Sequence, residues 1–138
     1  MLYAMAMEIV ITEWALQSYL DLTGTHTFTR DEYYSVLRPD VLLLKEYPAG
    51  EKFKQDGFWG PATTRSGDRV EKGWKMKWHN IGPGKIQLRL CVAIVKSAAF
   101  LCQAYVKGSE LKDKREAALL LQRIDHIEQG CYESRGKL

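Results

Sequence analysis

The chain has 138 residues, a length that suits one domain, and 46% of them are hydrophobic, enough to build a core. Charged residues make up 27% and the formal net charge is +3. So mild a basicity permits a nucleic-acid or acidic partner without requiring one, while the lack of any apolar run near roughly 20 residues excludes a membrane-spanning helix.

The N-terminal stretch MLYAMAMEIV lacks the basic n-region of a secretory signal. Met7 is an alternative start, which would leave residues 1–6 as a short extension. Three cysteines, Cys91, Cys102 and Cys131, are odd in number and show no CxxC spacing. Cys91 and Cys102 lie in apolar runs and are expected as buried thiols. A reducing cytoplasm is the compartment that fits them.

Residues 8–12, EIVIT, are short and β-branched and predict a strand. Thr12 can cap a helix through EWALQSYLDL, in which Ala15, Tyr19 and Leu22 share one stripe with Leu16 and Leu20 beside it. Gly24 ends it. Thr29-Arg30-Asp31-Glu32 has capping-box spacing and opens a second helical segment through Tyr33, Tyr34 and Leu37. Pro39 either interrupts this segment or restarts it as a first-turn proline. Val41, Leu44 and Tyr47 continue its apolar side as far as Pro48.

Residues 49–73 carry five Gly and many charges and read as a long connection, with a short extended piece at KFKQDGFWG. A connection of that length in a compact domain is usually functional or an insertion. Three strand patterns follow: WKMKWHN (74–80), KIQLRLCVAIV (85–95) and AFLCQAYVK (99–107). GPG at 82–84 and KSA at 96–98 join them as tight turns. Residues 109–129 predict a helix with a buried stripe of Ala117, Leu120, Leu121, Ile124 and Ile127, closed by Gly130. No repeat or low-complexity tract is present.

Side chains of a strand alternate between faces. Trp74, Met76 and Trp78 therefore point one way and Lys75, Lys77 and His79 the other. In the next strand Leu88, Leu90 and Val92 take one parity, Gln87 and Arg89 the opposite. If Ile81 faces Lys85, then Trp78 pairs with Leu88, Met76 with Leu90, Trp74 with Val92, Lys77 with Arg89 and His79 with Gln87. A slip of one residue would mix the faces. The last strand adds Phe100, Cys102, Ala104 and Val106 as one row, and Leu101, Gln103, Tyr105 and Lys107 as the other. The expected result is an α+β domain spanning residues 1–138, a small antiparallel sheet formed by the N-terminal strand and a three-stranded meander. Helices cover its apolar face and the cationic face stays open. Like charges directly opposite one another destabilise a sheet. Lys75, Lys77 and Arg89 on one face without a strand carboxylate are therefore suited to a phosphate-bearing ligand.

This order of elements, with KMK at 75–77, LRL at 88–90 and YVK at 105–107 before an alanine-containing helix, resembles the RelE/ParE superfamily of bacterial toxins from type II toxin–antitoxin pairs. The resemblance implies a RelE-like fold and a messenger-RNA interferase of the RelE/HigB kind. It also implies cleavage of mRNA, with or without the ribosome, and restraint by a cognate antitoxin protein. It assigns Lys75 and Lys77 to the family's Lys-x-Lys, Arg89 to its phosphate-binding arginine and Lys107 to its final basic position. Where the family has a tyrosine after the last strand this chain has Lys114 nearby, so Tyr105 or His79 would supply the missing group.

RNA cleavage through the ribose 2′-hydroxyl needs a base, an acid and positive charge on the phosphorane-like transition state. Arg89 suits the charge role. Lys77, between Lys75 and Arg89, is expected to have a lowered pKa and so to be the better base. His79 can act as acid or base. Gln87, Gln103, Tyr105, Lys107 and Trp59 are the candidate RNA contacts, the aromatics by stacking on unpaired bases.

Each has a plainer reading: solvated sheet lysines for Lys75 and Lys77, an ion pair with Glu116 for Arg89, a hairpin histidine for His79, packing for Tyr105 and a local core plug for Trp59. His26 and His126 have no metal-ligand spacing, and no phosphate loop, nucleophile elbow or calcium loop occurs. No cofactor or metal is expected. Two other functions compete: a ParE-like gyrase poison without enzymatic activity, and a nucleic-acid-binding module without chemistry.

Overall fold

The computed structural model describes residues 6–138, so the expected extension at residues 1–6 lies outside the described residues but for Ala6. Strand β1 (Glu8–Thr12) leads directly into helix α1 (Glu13–Gly24). Thr12 makes that junction possible. Its buried hydroxyl accepts the Ala15 N–H at 3.2 Å and donates to the Leu101 carbonyl at 2.7 Å, capping the helix and tying it to the sheet. The capping box at Thr29 forms as its spacing predicts, and the Glu32 carboxylate also accepts the Gly82 N–H at 2.9 Å.

The chain is helical from Arg30 to Glu46 in changing geometry: α2 (Arg30–Glu32), a π turn (Tyr33–Leu37), α3 (Arg38–Leu42) and a 3-10 turn (Leu43–Glu46). Pro39 stands in the first turn of α3, where a restarting proline fits, and the helix widens just before it. A proline lacks the N–H and crowds the carbonyl four residues back, and here the Arg38 N–H reaches back to Tyr33.

Among the described residues six strands form one sheet in the order β2-β3-β4-β5-β1-β6, with β2 (Trp59–Thr63), β3 (Arg69–Ile81), β4 (Ile86–Val95), β5 (Ala98–Val106) and β6 (Ser134–Lys137). The α+β class and the meander of β3, β4 and β5 agree with the sequence. Of the edge strands, β6 was not expected, and β2 begins at the end of the expected extended piece KFKQDGFWG, whose first residues form a 3-10 turn instead. The long connection at 49–73 holds a 3-10 turn at Glu51–Lys54, then β2 and the start of β3. The N-terminal strand runs parallel to β5, from Glu8 opposite Ala98 to Ile11 opposite Leu101, so the sheet is not wholly antiparallel. EIVIT is buried on both faces, Ile9 on one and Val10 on the other. Such a strand carries no alternation that would fix its direction.

In the β3–β4 hairpin Trp78 faces Leu88, Met76 faces Leu90, Trp74 faces Val92 and Lys77 faces Arg89, as the parity requires. The expected Ile81–Lys85 pairing is displaced by one. Ile81 faces Ile86, and Asn80 takes a positive φ of 56° in an irregularity that removes the His79–Gln87 pair. A bulge in β5 has larger consequences. Cys91 faces Gln103 while Val92 faces Leu101, so Cys102 is the extra residue and the parity flips there. Leu101 therefore joins the face of Leu90, and Phe100 joins the face of Tyr105, opposite to the rows expected.

Both faces are covered. Ile9, Met76, Trp78, Leu88, Leu90, Val92 and Leu101 pack with Ala15, Leu37, Val41 and Leu44 on one side. On the other side helix α4 (Glu110–Glu128) lays Ala117, Leu120, Ile124 and Ile127 over Val70, Cys91, Ala93, Phe100 and Cys102. The expectation that helices cover the apolar face alone is thus corrected. Leu121, expected in the stripe, is 48% exposed. Gly73 explains how close α4 comes: a Cβ there would lie 2.7 Å from Val70 and 3.0 Å from Leu120.

Asp40 is a buried carboxylate in the first turn of α3, and it accepts the Trp78 indole N–H at 2.8 Å and the Lys52 ammonium at 2.7 Å. One residue thus fixes the helical run, the 3-10 turn at 51–54 and β3 to one another. Asp40→Ala leaves the indole N–H buried and unpaired, so urea unfolding should show a loss of about 1–3 kcal/mol. Lys52→Met, which removes the more exposed partner, should cost less.

Candidate functional site

Side chains on the α4 side of the sheet change character along the strands. The row Gly73–Ala93–Phe100 lies under the middle of α4; the row Gly60–Lys75–Cys91–Gln103 comes next; Lys77–Arg89–Tyr105 lies beyond it. The three cations therefore gather at one end of this face, near the first turn of α4. The alternation that begins at Lys75 places them there.

Lys75 donates to Asp113 at 2.9 Å, and both side chains are only 15% exposed. The Tyr105 hydroxyl donates to the other oxygen of the same carboxylate. Asp113 stands in the first turn of α4, where the helix end favours negative charge. Burial pushes its carboxyl up, but the bonds from Lys75 and Tyr105 outweigh this and hold it below the ordinary aspartate range. Burial, with the Asp113 carboxylate adding to it, pushes the Tyr105 hydroxyl far up, so it stays protonated.

Lys77 has no carboxylate of its own. Its ammonium donates to the Asp56 main-chain carbonyl at 2.8 Å. Its pKa is lowered, by burial first and then by the charges of Lys75 and Arg89. Gly60 leaves room for it: a Cβ there would stand 3.2 Å from Nζ. Arg89 is 4% exposed and donates to Gln87 Oε1 at 2.9 Å and to the Leu88 carbonyl at 3.3 Å. The ion pair with Glu116 does not form. Glu116 instead gives its main-chain carbonyl to Gln103, and burial raises its carboxyl. His79 is exposed, with Nε2 2.8 Å from the Gly57 carbonyl. Gln87 and Lys107 are exposed beside them, joined by the Lys107 N–H to the Gln87 carbonyl at 2.8 Å.

Three candidate RNA contacts are out of reach. Trp59 points to the opposite face, buried and stacked on Trp74 at 5.5 Å. Its β2 parity, facing Met76, decides this. Gln103 is buried under α4 between the Glu116 carbonyl and Arg123. Tyr105 is buried and bound to Asp113, so no base can stack on it. What remains accessible is Lys77, His79, Gln87 and Lys107, with Lys75 and Arg89 behind them.

Two features were not read from the sequence. Asp113 extends the stripe Ala117, Leu120, Ile124, Ile127 one turn back at the same 4-3 spacing, so its aim at the sheet was legible. The segment 56–60 lends its Asp56 and Gly57 carbonyls to Lys77 and His79, and only its glycines hinted at a close approach. Among the described residues no group of three or more His, Cys, Asp or Glu side chains could hold a metal ion, and no helix is long and apolar enough to cross a membrane. Compared with known protein families, curated proteins and solved structures, the chain matches none.

The Asp113 carboxyl has a lower pKa folded than unfolded. The unfolded chain therefore binds the extra proton, and stability falls as pH drops below the ordinary aspartate value of about 3.9 and through the lower native one. Urea unfolding across that range should show a steeper acid loss for the native chain than for Asp113→Asn. The variant should be the less stable of the two at neutral pH.

Proposed function

We propose that this chain is a RelE-like toxin of a type II toxin–antitoxin pair, an endoribonuclease that cuts messenger RNA in the cytoplasm and is restrained by a separately encoded antitoxin. The observation that carries the reading is the placement of Lys77 directly opposite Arg89 with Lys75 beside them, one carboxylate among three cations. A merely structural cluster would pair each buried charge. The order of strand, helical segments, antiparallel meander and closing helix supports a RelE-like fold, with β2 and β6 as additions.

In this reading RNA lies along the open end of the face, with its phosphate at Lys77 and the buried charge of Arg89 behind it. Lys77, its pKa lowered, takes the proton of the 2′-hydroxyl. The 2′-oxygen then forms a bond to phosphorus and the 5′-oxygen leaves. Arg89 and Lys75 hold the charge of the five-coordinate state. His79 gives the leaving oxygen its proton from Nδ1, since Nε2 is held by Gly57. The products are a 2′,3′-cyclic phosphate and a 5′-hydroxyl. Gln87 and Lys107 contact the flanking backbone.

Primer extension on messenger RNA after induction tests this. Discrete new 5′ ends should appear with the native chain, and the cleavage rate should drop about 100-fold or more in Lys77→Ala. Lys137→Ala, at the far edge of the sheet, should cleave normally. Intact transcripts with DNA damage would establish the gyrase-poison alternative instead. Salt-sensitive RNA binding without cut ends would leave a binding module.

A further inference from the structure

On the opposite face of the sheet lies a cavity of about 270 Å³, between α1, the π turn and α3 on one side and β3 to β5 on the other. Its wall is apolar: Ala15, Leu22, Phe28, Val41, Leu90 and Leu101 are among the residues that line it. Its polar groups come together from three places. Tyr19 lies on α1, Tyr33 and Tyr34 lie in the π turn, and Arg38 opens α3. Tyr19 and Tyr33 have ring centroids 5.3 Å apart. Arg38 stands close enough for its charge to pull the Tyr33 hydroxyl down against the burial that raises it.

These polar groups are unspent. Among the described residues Arg38 is in none of the ion pairs, and the tyrosine hydroxyl bonded within the protein is that of Tyr105 on the other face. Arg38 is half-buried. Solvent satisfies its nitrogens in the free chain, since among the described residues no buried side-chain nitrogen or oxygen lacks a partner, and ligand pockets combine an apolar wall with a few convergent polar groups of this kind. Arg30, stacked over the Tyr34 ring at 5.6 Å, adds positive charge at the same turn. The π turn puts these groups together, and such turns recur at functional sites.

We propose that this cavity is a binding site for a small monocarboxylate with an apolar body, its carboxylate on Arg38 and the Tyr19 and Tyr33 hydroxyls and its body against Leu22, Val41, Leu90 and Leu101. A single guanidinium matches a single carboxylate through two parallel hydrogen bonds, while a phosphate monoester would need a second cation in the cavity wall, and Arg30, held over Tyr34, does not line it. The volume lies just under the 300–1,000 Å³ (about) typical of ligand pockets, so the body is short. The site is independent of the cationic end of the other face, and its test does not involve RNA.

Octanoate and octanol, which share a chain and differ in charge, are the probes, titrated into the full chain and followed by NMR of the leucine and valine methyls. Octanoate should shift the methyls of Leu22, Val41, Leu90 and Leu101 saturably and bind about tenfold or more tighter than octanol. Arg38→Gln should abolish that preference and leave octanol binding unchanged. Ala104→Leu, which fills the cavity from β5, should abolish both. The proposal is overturned if octanoate leaves these methyls unmoved, if the two probes titrate alike, or if octanoate keeps its advantage in Arg38→Gln.

Discussion

The contact that orders this molecule is the one between Asp113 and its two donors, Lys75 on β3 and Tyr105 on β5. Helix α4 has an apolar stripe that needs a sheet to lie on, and an apolar stripe alone would let it slide along the strands. Asp113 fixes the sliding coordinate. With its carboxylate at the Lys75 row, Leu120 falls over Gly73, where no Cβ could be accommodated without movement. Leu120 is fully buried, and truncating such a leucine typically costs about 2–5 kcal/mol. The apolar and ionic contacts therefore agree on one placement of the helix.

That placement decides what the cationic residues can do. Were α4 shifted toward its own N-terminus, it would cover Lys77 and Arg89 as well. As it stands, the helix neutralises the first lysine and stops. The segment from Asp56 to Gly60 closes the other flank; its main-chain carbonyls bond Lys77 and His79, and the Asp56 carboxylate acts on Lys77 through its charge without a bond. A carbonyl orients an ammonium or an imidazole without cancelling its charge. The result is a cluster held in place on three sides that still carries net positive charge.

Much of this could be read from the chain because β-structure has a period of two. The alternation GWKMKWHN placed Lys75, Lys77 and Arg89 on one face, and the apolar partners of β3 and β4 followed from the same register. Three things were not legible, for separate reasons. The bulge at Cys102 has no sequence mark: AFLCQAYV alternates acceptably in either parity, so the flip of Leu101 and Phe100 is imposed by packing on both sides. The direction of β1 was open because both its faces are buried. Trp59 could be read as a base-stacking residue or as a core plug, and its pairing with Met76, which decides for the core, is long-range.

The burial of Arg89 then takes on a particular meaning. A guanidinium 4% exposed, satisfied by Gln87 and a carbonyl and lacking a carboxylate, makes a fixed positive potential more than a hand for grasping. It acts through Lys77, its cross-strand neighbour, whose pKa it helps to lower. Burial lowers that pKa most, Lys75 next and Arg89 after it, while the Asp56 and Asp113 carboxylates work against all three. An anion approaching this end of the sheet meets Lys77 and His79 first, with Arg89 behind them at low dielectric, where its charge counts for more than at a solvated surface. Direct contact by an exposed arginine and lysine would favour simple adhesion. A buried cation behind a half-buried lysine instead tunes a titratable group, and perturbed groups of this kind cluster at functional sites.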